Sequence, residues 1–327
     1  VANDRFRMNG MAVVLPKVGR VALRERLRWP GRIMGATVSR DADHWYLAVQ
    51  VEVPDDVARR ERKENGVTGV DLGVSAAAIL SSGEKIPAPR PLAAALRRLR
   101  IRSRRQSRKV EAAKKAARIE GPIPKGTRLP VSKNQTCGAH ALARLHARIA
   151  RVRRDFTHKL TTRLCRENQA VVIEDLHVSG MLANGHLARA IADVGFYEIR
   201  RQLQYKAARY GTRIVLADRW YPSSKLCSAC GEKFAALGLG ERTWTCAACG
   251  AHHDRDVNAA INLQRLATGA HAARTALPVA SQAVTPGTAA GHGPAGGGKV
   301  TPVRHEHGRQ DGSGQEEIGG HLCAPSR

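Results

Sequence analysis

Val67-Thr68-Gly69-Val70-Asp71-Leu72-Gly73-Val74, followed by a second apolar run over Ala76 to Ser81, reads as strand, turn, strand, with an acid where the first strand ends. A second stretch repeats that design: Ala170 to Leu176 (AVVIEDL) is an apolar strand closing on Glu174 and Asp175. A long helical pattern from about Leu187 to Tyr210 follows, and Thr212 to Ala217 (TRIVLA) reads as another strand. Strand-helix-strand alternation predicts an α/β sheet.

Before this core, the short β-branched runs Met11 to Leu15, Arg20 to Leu23, Arg32 to Val38 and Trp45 to Val53 are separated by Gly and Pro and read as strands. In the last, Leu47, Val49 and Val51 alternate with Ala48, Gln50 and Glu52, so one face is buried and one is wet. A small antiparallel sheet or barrel is expected there. Between the two halves of the core, Pro91 to Arg118 is helical in composition and carries Arg97, Arg98, Arg100, Arg104, Arg105, Arg108 and Lys109. Charge on every face keeps such a helix out of a core. After a Pro- and Gly-containing break from Gly121 to Gly138 comes a second helix, Ala141 to Asn168. Its Leu142, Leu145, Ile149, Phe156, Leu160 and Leu164 keep a three-four spacing, with Arg144, Arg148, Arg151 and Arg154 on the other side. The two helices are expected to form an antiparallel basic pair over 91–168, and neighbouring like charges destabilise it unless an anion neutralises them.

Length and charge narrow the function. The chain has 327 residues, which allows roughly two domains. Its 54 Lys and Arg against 28 Asp and Glu leave a formal charge of +26. That excludes an ordinary near-neutral enzyme and makes nucleic acid the first partner to consider. Aromatics make up only 4% of the residues, so base stacking is not the main mode of contact. Phosphate contact must dominate, and affinity should fall steeply with salt. No apolar run reaches the ~18 residues of a membrane span, and no charged-then-apolar leader opens the sequence.

The seven cysteines are too few for a disulfide scaffold in a chain of this length. Four fall in two C-x-x-C pairs, Cys227/Cys230 and Cys246/Cys249, which points to a metal in a reducing compartment, hence the cytoplasm. Each pair is followed by a glycine, Gly231 or Gly250, that permits the positive φ of a tight knuckle. Four soft ligands at this spacing suit a closed, structural Zn²⁺ site. His252 and His253 are expected to be solvated or to face nucleic acid. Val257 to Ala267 reads as a closing amphipathic helix. Beyond Gly269 the Ala-, Gly-, Pro- and Ser-rich sequence reads as a disordered tail, 269–327.

The acids form a further pattern. Asp71 ends one strand, Glu174 and Asp175 end another, and Asp254 and Asp256 precede the closing helix. Three acidic positions from distant parts of the chain can converge, and a carboxylate in apolar surroundings needs a compensating cation. Oxygen-only ligation of this kind suits Mg²⁺, and two such ions ~3.5–4 Å apart clamp an in-line phosphodiester displacement.

Four strings in order resemble the TnpB (OrfB) family of insertion-sequence proteins, relatives of the type V CRISPR effector nucleases. They are GVDLGV at Gly69–Val74, VIEDLHVSGM at Val172–Met181, PSSKLCSACG at Pro222–Gly231 and HDRDVNAAINL at His253–Leu263. The connecting stretches Leu142–Leu160 and Asp193–Tyr210 are similar to that family as well. The resemblance implies an RNase H-like, RuvC-type α/β core with inserted basic helices and a zinc ribbon, preceded by a wedge-like β-barrel. It implies Asp71, Glu174 and Asp256 as the catalytic acids holding two Mg²⁺, with Cys227, Cys230, Cys246 and Cys249 on zinc. Asp175 and Asp254 are then supporting or helix-capping residues, and Asn258 and Asn262 structural. The expected divisions are a wedge over 1–58, short at its N-terminus; a nuclease core over 59–224; the zinc ribbon over 225–252; and the last core motif and helix over 253–268. The implied activity is RNA-guided DNA cleavage, with a guide RNA from the transposon end and a DNA target. The rival reading is a nucleic-acid-binding protein that does not cut, which has no need of the acidic trio.

Overall fold

The computed structural model describes residues 6–54, 65–234, 236–238 and 240–268. The expected tail, 269–327, lies outside the described residues, as does most of the connector after residue 54. At the centre is a five-stranded sheet made by β6 (Asn65–Asp71), β7 (Ala76–Leu80), β8 (Lys85–Pro87), β9 (Asn168–Glu174) and β10 (Arg213–Ala217). Its spatial order is β10-β9-β6-β7-β8. β6, β7 and β8 run antiparallel by short turns, whereas β9 and β10 add in parallel on the other side. A parallel neighbour requires a long crossover, and the helices supply it: α1 (Pro91–Ala116) and α2 (Lys133–Glu167) between β8 and β9, then α3 (Val178–Ala183), α4 (Ala188–Val194) and α5 (Phe196–Tyr210) before β10.

The period of two along each strand decides what each face meets. Val70, Val171 and Ile173 point into the main core with Leu160, Leu164, Ile199 and Leu203 from α2 and α5. Val67 and Val172 point the other way, with Leu263 and Leu266 of α6 (Arg255–Thr268). By the same parity Gly69 and Asp71 on β6, and Glu174 on β9, belong to the α6 side. Gly69 lets the helix come down onto the strand. A Cβ there would stand 1.9 Å from the Ala260 carbonyl oxygen and 2.5 Å from the Gln264 backbone nitrogen. Gln264 Nε2 also donates to the Val67 carbonyl at 2.7 Å.

The basic pair forms as expected with one change of boundary, and the helix that follows β9 differs from expectation. α2 begins at Lys133, inside the predicted break, because the Ser132 hydroxyl accepts from Gln135 N at 3.1 Å and caps the helix there. The single helix predicted over Leu187 to Tyr210 is two, interrupted at Gly195, whose φ of +80° ends α4. α1 is fastened to the core by Asp193 of α4, a side chain only 4% exposed. Its carboxylate accepts from Leu92 N and Ala93 N at 3.0 Å each, closing the helix start, and from Arg153 Nη2 of α2 at 3.0 Å.

The N-terminal strands correct one expectation, because no barrel closes among the described residues. β1 (Arg7–Asn9), β2 (Ala12–Leu15) and β3 (Gly19–Ala22) make one antiparallel sheet, and β4 (Arg32–Asp41) and β5 (His44–Glu52) a separate hairpin. β3 is exposed along its whole length and offers no buried face on which a closed sheet could continue. The two sheets share a small core around Phe6, Val13 and Ala36, joined by Leu47 and Val49, the residues whose alternation was read from the sequence.

Gly69→Ala should therefore cost about 3 kcal/mol or more, since neither contact is a flexible side chain that can yield. Gly66→Ala on the same strand, where an added Cβ meets nothing within 4 Å, should stay near wild type. Thermal or urea unfolding of the two variants checks the difference.

Candidate functional site

Asp71 and Glu174 close adjacent parallel strands. The last paired residues of β6 and β9 are Val70 and Ile173, so the two acids stand side by side one step beyond, on strands ~4.8 Å apart. Both belong to the α6 side of the sheet, and Asp256 lies in the first turn of that helix. The three share one electrostatic neighbourhood. Burial pushes the Asp71 carboxyl up, the charges of Glu174 and Asp256 add to that, and Arg255 with the Leu72 backbone N–H opposes them; the result is a rise from 3.8 to about 7. The three acids predicted from the sequence are thus within electrostatic reach of one another at one end of the sheet, but among the described residues only the four cysteines form a group whose donor atoms all lie within 4.8 Å.

The neighbouring acids have other partners. Asp254 Oδ1 accepts from Asp256 N at 3.2 Å and Val257 N at 3.1 Å, which caps α6, while Oδ2 meets Lys85 Nζ. Asp175 pairs with Arg200 and, at 3.4 Å, with Arg219. Glu174 Oε1 accepts from the Ser223 hydroxyl at 2.6 Å, and Asp256 lies 3.7 Å from Arg242 Nη1. Sequence reading missed Ser223: it stands in the quoted PSSK run, but nothing in its spacing announces a partner 49 residues away.

The four predicted cysteines converge, and all their sulfurs lie within 4.8 Å of one another. Two of the edges are short: Cys227 to Cys249 is 3.6 Å and Cys230 to Cys246 is 3.7 Å. Four sulfurs ~2.3 Å from a central Zn²⁺ have tetrahedral edges of about 3.8 Å, so the donor set and its spacing fit zinc. Burial opposes ionisation of Cys227, but the N–H groups of Cys230 and Ala229 and the His253 ring aim at its sulfur and bring the thiol down to about 6. His253 corrects an expectation. It is buried, with Nε2 3.0 Å from Cys227 Sγ and its ring 4.8 Å from that of Trp244, so it faces neither solvent nor nucleic acid. His252 is exposed and its Nδ1 lies 3.1 Å from the Thr245 hydroxyl.

The expected nucleic-acid contacts divide into two groups. Arg97, Arg98, Arg100, Arg104, Arg105 and Arg108 on α1, with Arg148 and Arg154 on α2, are exposed and make no ion pair among the described residues. The others are engaged within the fold. Lys109 Nζ donates to the Asn134 carbonyl at 2.6 Å, Arg151 pairs with Asp41 at 3.1 Å and Arg144 with Asp43 at 3.5 Å. The last two fasten α2 to the β4–β5 hairpin. No helix among the described residues is long and apolar enough to cross a membrane.

Two outcomes are expected. The folded protein holds the Asp71 proton up to about pH 7, whereas the unfolded chain releases it near 3.8. Stability associated with this group is therefore full below the lower value and lost as pH rises through the upper one. In chelator-containing buffer, Asp71→Asn should raise Tm by several degrees above neutral pH, and the gain should vanish in acid. Cys227→Ser should lower both zinc content and Tm, whereas a substitution at exposed Arg104 should change neither; metal analysis and calorimetry read both.

The profile of a family described as "Probable transposase" (OrfB) matches residues 48–185, and that of the "Cas12f1-like, TNB domain" matches residues 196–263. A "Putative RNA-guided DNA endonuclease" of Streptomyces pristinaespiralis is 44% identical over 228 residues, covering 69% of this chain and 51% of the relative. InsQ of Escherichia coli K12, which carries the same description, is 30% identical over 284 residues, covering 80% of this chain and 65% of the relative. A cryo-EM structure of a CRISPR-Cas12f ternary complex aligns with a TM-score of 0.44 at 17% identity, over 67% of this chain and 42% of that one. The chain spans about half to two thirds of the length of these curated relatives. Two adjoining family profiles and relatives at this identity carry one conclusion: the chain belongs to the OrfB (TnpB) family of insertion-sequence proteins.

Proposed function

We propose that this chain works as an RNA-guided DNA endonuclease of a mobile element, with an RNase H-like core. The observation that carries the reading is the acid cluster: in a chain of charge +26, three carboxylates from distant segments share one neighbourhood and one of them is pushed up to about 7. Burying a carboxyl beside two further acids has no structural benefit, and a site for divalent cations explains why the arrangement is kept. The sheet order, three antiparallel strands continued by two parallel ones with the acids at the parallel strand ends, supports the RNase H-like assignment. Such a sheet places its ligands beyond the carboxyl ends of the strands.

On this reading Asp71, Glu174 and Asp256 hold two Mg²⁺, which when bound stabilise the attacking and leaving oxygens of the scissile phosphodiester. Asp254 sets the start of α6 and so the position of Asp256. The free arginines of α1 and α2 take the phosphates of a guide-target duplex by shape and charge. The four cysteines hold zinc in a ribbon over 225–252, the segment 59–224 with the basic pair forms the core, and 1–58 acts as a wedge. The guide RNA derives from the transposon end. Shared descriptions among the relatives support the partners, RNA and DNA.

Asp71→Ala is expected to abolish cleavage of a guide-matched DNA while leaving RNA binding unchanged. Sequencing of RNA that co-purifies with the protein, together with the cleavage assay, tests this. Retained cleavage removes Asp71 from the chemistry, and random cellular RNA favours a binder that does not cut.

A further inference from the structure

Between Glu174 and the cysteine cluster lies a connection that the trio alone does not explain. Ser223 is only 4% exposed, and its hydroxyl donates to Glu174 Oε1 at 2.6 Å. Its backbone is held as closely as its side chain. Asn262 of α6 gives one amide hydrogen to the Ser223 carbonyl at 2.8 Å and the other to the Leu226 carbonyl at 2.7 Å. Asn258, one turn earlier, donates to Leu226 O at 2.7 Å and accepts from Ser228 N at 2.8 Å, inside the first cysteine knuckle. Both asparagines are essentially inaccessible, at 1% and 0% exposure. The helix that carries Asp256 therefore also fixes the carbonyls at the base of the cysteine module, and the first of those residues, Ser223, reaches the second acid.

We infer that Ser223 is a positioning residue for Glu174, and that through it the base of the cysteine module sets the orientation of that carboxylate toward the divalent cations. The inference deepens the proposed endonuclease site and rests on it. Chemistry favours the role. A carboxylate has two oxygens and several rotamers of similar energy, and one short hydrogen bond to Oε1 restricts that choice and leaves the second oxygen to serve a cation. A hydroxyl suits because it donates without bringing charge, whereas a cation here would compete with the metal. Partners of metal ligands typically change affinity or activity by about 10–100-fold when removed. Asn258 and Asn262, read from the sequence as structural, become the clamp that makes the serine rigid.

The test measures Mn²⁺ binding to the purified full-length chain by electron paramagnetic resonance, alongside zinc content and Tm, and needs no active complex. Ser223→Ala should weaken Mn²⁺ binding about 10-fold or more with zinc retained, and Ser223→Thr, which keeps the hydroxyl, should restore it. In a Glu174→Gln background the same Ser223→Ala change should cost nothing further, because the serine acts only through that carboxylate; a defect of folding would persist there. Unaltered Mn²⁺ affinity in Ser223→Ala, or a full additional loss in the Glu174→Gln background, overturns the assignment. Asp71→Asn separates the two levels. If it too binds Mn²⁺ like wild type, the acid site itself fails and the serine's role falls with it; if it loses binding while Ser223→Ala does not, only the serine's role fails.

Discussion

Helix α6 can lie against strand β6 because Gly69 has no side chain, and the arrangement of the acids depends on that approach. With the helix 1.9 Å from where a Cβ would be, its first turn is carried to the end of the sheet where β6 and β9 finish on Asp71 and Glu174. The same helix buries Leu263 on the sheet and directs Asn258 and Asn262 to the base of the cysteine module. One close contact between backbones thus sets three things together: the level of Asp256, the second hydrophobic core and the attachment of the cysteine loop. A larger residue at position 69 would lift all three.

Charge is distributed in accord with this geometry. The basic residues that have anionic partners in the fold act as fasteners. Arg153 with Asp193 fixes the start of α1, and Arg151 with Asp41 fixes the hairpin. Asp193 is buried while Arg153 stays partly exposed, and the carboxylate also accepts backbone hydrogen bonds, which is the condition under which a buried charge is tolerated. The exposed arginines of α1 have no such partners among the described residues, and their mutual repulsion would be relieved by a polyanion. Like charges thus gather in two places, carboxylates at the sheet end and arginines along the helices, although Arg255 and Arg242 lie beside the acids.

Much of this was legible in the sequence. The strands around Asp71 and Glu174 show as apolar runs ending in acid, and parity along them predicts the faces seen in the sheet. The cysteine pairs announce a metal module because spacing within a tight knuckle is a local property. Features set by tertiary contact were not legible. Barrel closure depends on whether β3 has a face to bury, and it has none. His253 reads as a polar surface residue until Trp244 and Cys227 enclose it. The helix break at Gly195 is a local conformation, a φ of +80°, that composition in a helical window does not reveal. Ser223 reaches Glu174 only because α6 brings the cysteine loop back over the sheet. Spacing reveals partners held by one turn of chain and conceals those joined by the fold.

The proposed function requires Asp71, Glu174 and Asp256 to bind divalent cations jointly. Anomalous diffraction from crystals of the protein grown with Mn²⁺ tests it most directly. The account predicts two peaks bridged by those carboxylates, distinct from a zinc peak among Cys227, Cys230, Cys246 and Cys249. A zinc peak at the cysteines with no density among the acids at saturating Mn²⁺ would contradict it.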